Sequence, residues 1–380
     1  MSLINYMVWA ADPDLAEFWG LTIRWYGLLF ASGFLISQQI LFRVFRAEGH
    51  QESDVETLTV YMVIATILGA RLGHVFFYEP ARYLSNPIDI LKIWEGGLAS
   101  HGAAFGILFA LFLYSNYNIR LFKGTFQKHL RPGQSFLWVV DRIVIVVALT
   151  GALIRFGNFM NSEIEGLPTE SDYGVIFAWN AKDAILSSSP SIEEVEVSSD
   201  TDRASVESIS DEYRPVTFTI TFKNANYPEE EIRYLLEDRV KSLFTNYQSI
   251  RKHIYEPAGT PLDYTLTQDR GAYIAEVNTY GIPRHPAQLY ESATTFLTFL
   301  FLLFLWYRMR EKTPEGLLLG LFLIINFGLR FVHEYFKENQ VEFEDDLLLN
   351  MGQWLSIPLI LAGIYLLIQV GRRSKKHANQ

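Results

Sequence analysis

Residues 347–371 contain no Asp, Glu, Lys or Arg. So long an uncharged run strongly restricts the fold, because about 20 apolar residues of helix span the roughly 30 Å hydrocarbon layer of a bilayer. Six further stretches follow the pattern, at 21–42, 57–78, 97–117, 135–156, 286–307 and 315–334, although 57–78 and 315–334 carry internal charge. A soluble protein would have to bury all of them as core helices. The spacing instead predicts an all-α polytopic membrane protein with seven transmembrane helices.

Orientation follows from the basic residues of short loops, which stay on the cytoplasmic side. Arg43 and Arg46 follow the first span, and Arg120, Lys123, Lys128 and Arg131 the third. Arg308, Arg310 and Lys312 follow the fifth, and Arg372, Arg373, Lys375 and Lys376 form the tail. Residues 1–19 hold Asp12, Asp14 and Glu17 with no Lys or Arg, and the loop after the sixth span sets Glu338, Glu342, Glu344, Asp345 and Asp346 against Lys337. The alternation predicts the N-terminus outside and the C-terminus inside. No basic region precedes the first span, so no cleaved signal peptide is expected. The net charge of −10 gives no sign of nucleic-acid binding, and the absence of Cys excludes disulfides and thiolate chemistry on this chain.

The polar block 167–283 then lies outside, between the fourth and fifth spans, and divides the chain into 1–166, 167–283 and 284–380. Ser187 to Glu212 holds eight acidic residues and one basic one, Arg203, and reads as a solvated or mobile linker. Val216 to Phe222 alternates as a half-buried strand does. Residues 229–254 place Ile232, Leu235, Leu236, Val240, Leu243 and Phe244 at helical spacing. Segments 264–267 and 272–277 flank Asp269-Arg270-Gly271, a hairpin signal. These elements predict a small α+β extracytoplasmic head of β-α-β-β order. His253 is expected on its solvated helix face, and the block shows no nucleophile or metal motif.

With this topology the polar residues of the spans gather at their outer ends: Arg24 and Tyr26, Arg71 and His74, His101, then Arg155, Asn158, Asn161 and Glu163, then His285, Gln288, Tyr290 and Glu291, and finally Arg330 and Glu334. Only Asp141 and Arg142 lie at an inner end. Charge at membrane depth faces a bundle interior or a cavity unless it snorkels to the interface, an alternative for Arg24 and Arg71. Arginine forks suit phosphate, so a phospholipid headgroup is the natural ligand class. His101 can exchange a proton near neutrality. Glu163, Glu291 and Glu334 could pair with the arginines or orient the histidines. A transporter would also need polar residues towards the inner end, and no internal repeat is visible.

Several of these segments form ordered motifs: Ile23-Arg24-Trp25-Tyr26-Gly27; Trp94-Glu95-Gly96-Gly97 with Ser100-His101-Gly102; Arg155 to Gly166; Arg284 to Glu291; and Arg330 and Glu334 followed by Met351 to Pro358. In this order the chain resembles the prolipoprotein diacylglyceryl transferase family over about residues 20–166 and 281–373. Ile154, Ala103 and Ser162 stand where the family pattern has Gly, and the block 167–283 is longer than in familiar members. The resemblance implies transfer of the sn-1,2-diacylglyceryl group of phosphatidylglycerol to the lipobox cysteine of a prolipoprotein signal peptide. It also implies a multi-pass bacterial inner-membrane location, an active site towards the outer leaflet, and no cofactor or metal. Arg155 and Arg330 would hold the phosphate, and His101 would act as base or position the thiol. Tyr26, Asn158, Asn161, Glu163, Gly166, His285, Glu291 and Glu334 would complete the substrate site. Packing or turn roles for Gly157 and Gly166, ion pairing for Glu163 and Glu334, and capping for His285 are the alternatives.

Overall fold

The computed structural model describes residues 6–92, 96–97, 99–120, 125–128, 130–200, 203, 212–223, 227–269, 271–338 and 347–378. Trp94, Glu95, Lys123, Arg270, Glu342, Glu344, Asp345 and Asp346, and the 204–211 part of the expected linker, lie outside these residues. The chain forms two compact units. One comprises Met1–Leu29, Ile154–Ser292 and Val332–Asn350; the other comprises Phe30–Leu153, Ala293–Phe331 and Met351–Gln380.

The apolar stretches are helices: α1 (Trp25–Ala47), α2 (Glu52–Phe77), α3 (Ser100–Asn116), α4 (Phe136–Met160), α5 (Ala287–Met309), α6 (Leu317–His333) and α7 (Met351–Ala378). Among the described residues six, all but α3, are long and apolar enough to cross a bilayer, so the chain is a polytopic membrane protein. The third expected span is observed as the 17-residue α3, which at 1.5 Å per residue reaches only about 26 Å. In the second unit, Phe45, Leu58, Leu111, Tyr114, Ile145 and Leu302 pack in one core. Leu35, Leu68, Phe105, Phe109, Leu297 and Leu361 are exposed, as lipid-facing side chains should be.

Two Gly-x-x-x-Gly pairs bring α2 and α3 together. A Cβ on Gly73 would stand 2.7 Å from the Cα of Gly102, and one on Gly106 would stand 3.1 Å from the Cα of Gly69. Apolar tails offer no hydrophobic gain for helix pairing, so such close backbone approach is what binds two membrane helices. Arg71, on the same stretch of α2, neither snorkels nor faces a ligand. It is buried and donates to the carbonyls of Asp89, Ile90, Lys92, Gly96 and Gly97 at 2.5–3.3 Å. At the other end of this unit, Arg142 is fully buried against Glu48 at 2.7 Å, and Glu48 also accepts from Trp138 and Trp306. Asp141 accepts the amides of Gly316 and Leu319 at the start of α6.

In the first unit a five-stranded sheet is built from β1 (Ile192–Ser199), β2 (Arg214–Phe222), β3 (Ile254–Tyr255), β4 (Asp263–Asp269) and β5 (Ala272–Gly281). The order is β4-β5-β2-β1, with β3 also paired to β5, and every pairing is antiparallel. Val216, Phe218, Ile220 and Phe222 alternate inwards from β2 and are fully buried with Ile232, Leu236, Val240 and Phe244 of the helical stretch. That stretch is interrupted by a π-helical segment, Leu235–Val240.

Two expectations fail here. The linker reading of 187–212 is wrong over β1, an edge strand that buries Ile192 and Val195 and turns Glu193, Glu194 and Glu196 outwards. A register shift between Ile192 and Glu194 breaks the alternation that would have revealed it. His253 is not on a solvated face; it is 3% exposed.

Replacing Gly102 with Val should force α2 and α3 apart and lower stability by roughly 1–3 kcal/mol or more. Thermal unfolding of detergent-purified protein would register this as a fall in midpoint; an unchanged midpoint would contradict the close helix contact.

Candidate active site

The last turn of α4 carries Arg155 and Asn158 on one face, three residues apart. Arg155 Nη1 donates to Asn158 Oδ1 at 3.4 Å. Beyond Met160 the chain turns sharply, with Ser162 at φ 52° and Ile164 at φ 58°. Positive φ is unusual for any side-chain-bearing residue and most adverse for a β-branched one. The turn brings the Glu163 amide to the Asn158 carbonyl at 2.9 Å. It also sets the Glu163 carboxylate to accept from Asn158 at 3.4 Å and Asn161 at 3.2 Å.

The first turn of α5 meets this arrangement. Gln288 Nε2 donates to the Glu163 carbonyl at 2.7 Å. One turn further, Glu291 pairs with Arg155 Nε at 2.6 Å. Glu291 is only 6% exposed and also pairs with Lys337. Lys337 in turn reaches Glu334 at 3.4 Å, and Asn350 donates to Glu334 at 3.3 Å. Arg155 spends Nε and Nη1 on protein acceptors, while Nη2 has no acceptor among the described residues.

Tyr26 lies against Gly157, where an added Cβ would come within 3.0 Å of its ring. Gly166 has an equally direct steric reason: a Cβ would stand 2.5 Å from the carbonyl oxygens of both His285 and Phe336. Its own amide donates to His285 at 2.9 Å. His285 Nδ1 is 3.3 Å from the Tyr290 hydroxyl and edge-on to Phe336. Thus Tyr26, Arg155, Asn158, Asn161, Glu163, Gly166, His285, Glu291 and Glu334 all belong to the first unit.

His101 and Arg330 belong to the second unit. His101 sits in the first turn of α3, edge-on to the Phe77 ring at 5.1 Å and near Tyr78 at 5.8 Å. Arg330 lies in the last turn of α6, half-buried. Arg24 is an exposed partner of Asp14 at 3.0 Å.

Sequence reasoning missed Lys337, Asn350 and a second buried cluster. Lys337 was counted only in a loop's charge balance; its spacing from Glu334, three residues, was the available signal. The second cluster pairs Glu165 with His253 at 3.5 Å. Burial pushes the Glu165 carboxyl up to about 7 against the opposing pull of Arg284. Burial, then Arg284 and Lys252, push His253 down to about 3.

Six helices long and apolar enough to cross a bilayer, with a charged, hydrogen-bonded network in the residues at the end of α4 and the start of α5, define a polytopic membrane protein that carries a polar site. A family model described as prolipoprotein diacylglyceryl transferase matches residues 13–369, and the chain belongs to that family. Similar proteins include a phosphatidylglycerol–prolipoprotein diacylglyceryl transferase of Tolumonas auensis, 34% identical over 362 residues, covering 95% of this chain and 96% of the relative. Those of Chloroherpeton thalassium and Porphyromonas gingivalis are 33% and 32% identical, each over 97% of this chain and 96% of the relative. With so little of either partner left unmatched, the long 167–283 block is shared by these relatives and is not peculiar to this chain.

Lys337→Ala should remove the cation shared by the buried Glu291 and the half-buried Glu334 and destabilise the protein by roughly 3–5 kcal/mol. Lys337→Arg, which keeps the charge, should lose far less. Comparing the thermal midpoints of the two variants with wild type tests this; equal midpoints would mean that the lysine does not hold the network.

Proposed function

We propose that the protein transfers the sn-1,2-diacylglyceryl group of phosphatidylglycerol to the lipobox cysteine of a prolipoprotein signal peptide, the first step of bacterial lipoprotein maturation. Family membership supports the reaction class. The observation that carries the site is Arg155, fixed by Glu291 and Asn158 with one edge of its guanidinium left open among the described residues.

Chemically, the acceptor thiolate attacks the glycerol carbon that bears the phosphate ester. A C–S bond forms, the C–O bond breaks, and glycerol-1-phosphate leaves with the bonding electron pair. The free thiol is mostly protonated at neutral pH, so it needs a base. We assign that task, or the positioning of the thiol, to His101. Charge gathering on the departing phosphate needs preorganised donors in a site that excludes water. Arg155 and Arg330 supply them. Tyr26, Asn158 and Asn161 bind headgroup or acceptor, while Glu163, Glu291 and Glu334 hold the cations in place. Gly166 keeps the turn close to the first residues of α5, and His285 borders the substrate site.

In this reading α1 to α7 are seven spans, α3 being the shortest, with the N-terminus outside and the C-terminus inside. Residues 1–166 and 284–380 form the membrane parts of an inner-membrane enzyme, and 167–283 is its extracytoplasmic head. The site opens towards the outer leaflet. The excess of Lys and Arg in alternate loops supports this orientation.

Purified protein incubated with phosphatidylglycerol and a lipobox peptide should add a diacylglyceryl mass to the peptide and release glycerol phosphate. Arg155→Ala should reduce the rate by about 100-fold or more. His101→Ala should lose most of the rate at neutral pH and regain part of it in alkali, where the thiol ionises unaided. Full activity of either folded variant would remove that residue from its assigned role.

A further inference from the structure

The turn that carries Asn161 and Glu163 is strained at Ser162 and Ile164. A strained backbone persists only where its surroundings hold it. On the side facing the helices, Gln288 grips the Glu163 carbonyl. On the other side the grip comes from Arg284, which ties the turn to Lys252 of the outward block. Arg284 Nη1 donates to the Gly166 carbonyl at 3.0 Å and Arg284 Nε to the Lys252 carbonyl at 3.0 Å. Next to that clamp, Glu165 meets His253 at 3.5 Å, with side chains 10% and 4% exposed.

We propose, building on the transferase reading, that Glu165 and His253 are a positioning pair through which the outward block holds the 161–166 turn, and with it Asn161 and Glu163, in place beside Arg155. Four features carry this. The pair is buried, it lies next to the strained residues, and it joins the end of the head's helical stretch to the site turn. In addition, His253 Nδ1 is buried with no partner among the described residues, an arrangement that a merely stabilising histidine would avoid.

The charged groups facing the pair are Arg284, Lys252 and Glu338, with Lys252 and Arg284 both paired to Glu338, at 3.3 and 3.5 Å. The Phe177 ring closes one side of His253. With His253 held neutral, its Nε2 can accept a hydrogen bond from the Glu165 carboxyl, which keeps its proton below pH about 7. As pH rises through that value the carboxyl becomes a carboxylate. It then competes for the Arg284 guanidinium that now holds Gly166. The turn is therefore firmest on the acid side of neutrality and loosens above it.

The test combines an infrared titration with transfer kinetics on the full-length protein. Wild type should show a protonated-carboxyl C=O absorption that disappears as pH rises through about 7, and Glu165→Gln should lack it. Glu165→Ala and His253→Ala should each lower kcat about tenfold through misalignment. The conservative Glu165→Gln and His253→Gln should recover most of that loss. The alkaline decline of wild-type kcat attributable to Glu165 should vanish in Glu165→Gln. Wild-type kcat and pH profile in a folded Glu165→Ala, or no titrating absorption, would overturn the pair. No transfer by wild type would overturn the parent reading and the positioning role together, and the infrared result would still judge the buried Glu165 carboxyl.

Discussion

The carboxylate of Glu291 is the interaction on which the site depends. A nearly buried carboxylate is tolerated only when it is paired and hydrogen-bonded. Arg155 meets it from the last turn of α4, and Lys337 from the segment after α6. Lys337 then requires Glu334, to which Asn350 also donates. Each charge is made affordable by the next, so three stretches far apart in the chain are tied at one place. Among the described residues of this network, Arg155 and Lys337 stand with three carboxylates, those of Glu163, Glu291 and Glu334. Net charge there cannot attract an anion. Attraction has to come from directed donors in a low-dielectric setting, where one well-aimed guanidinium edge counts for more than diffuse positive charge.

That requirement explains the strained turn. Glu163 must accept from Asn158 and Asn161 while its carbonyl receives Gln288. An α-helix continued past Met160 would carry Glu163, five residues on, away from Asn158. Positive φ at Ser162, with Ile164 following, folds Glu163 back instead. The loss of ideal backbone is offset by fixed polar groups, the usual bargain at sites that must hold their geometry before the ligand arrives.

Much of this was legible in the sequence. Apolar runs with little or no charge located the long helices, though not their exact ends, because the bilayer demands both length and uniformity. The alternation of β2 and the hairpin of β4 and β5 were equally visible. What could not be read had identifiable physical causes. Strand β1 hid behind acidic residues that an edge strand can turn to solvent and behind a register shift. His253 was buried by tertiary packing that no local pattern encodes. The third span was expected at full length, but only Ser100–Asn116 is helical. The two Gly-x-x-x-Gly pairs were readable and were passed over, although each lies on an apolar run. In the site, Arg155 and its neighbours stood out as charge where charge is expensive, whereas Lys337 did not, since a lysine in an acidic loop looks solvated.

Three arginines in apolar surroundings show how donor counting separates structural from ligand-binding cations. A guanidinium has five N–H donors and no acceptor. Arg71 reaches five backbone carbonyls of the segment before α3, which leaves nothing for a ligand. Arg142 is held through Nε and Nη2 by both oxygens of Glu48 and through Nη1 by the Trp138 carbonyl, with no solvent exposure. Arg155 is anchored through Nε and Nη1, yet its side chain is 27% exposed and its Nη2 edge is open among the described residues. Depth in an apolar helix and positive charge are common to all three. Only the Nη2 nitrogen with no acceptor among the described residues and the partial exposure mark Arg155 as a group that can still change partners during a reaction, and that property, rather than charge alone, is what phosphate chemistry in a membrane requires.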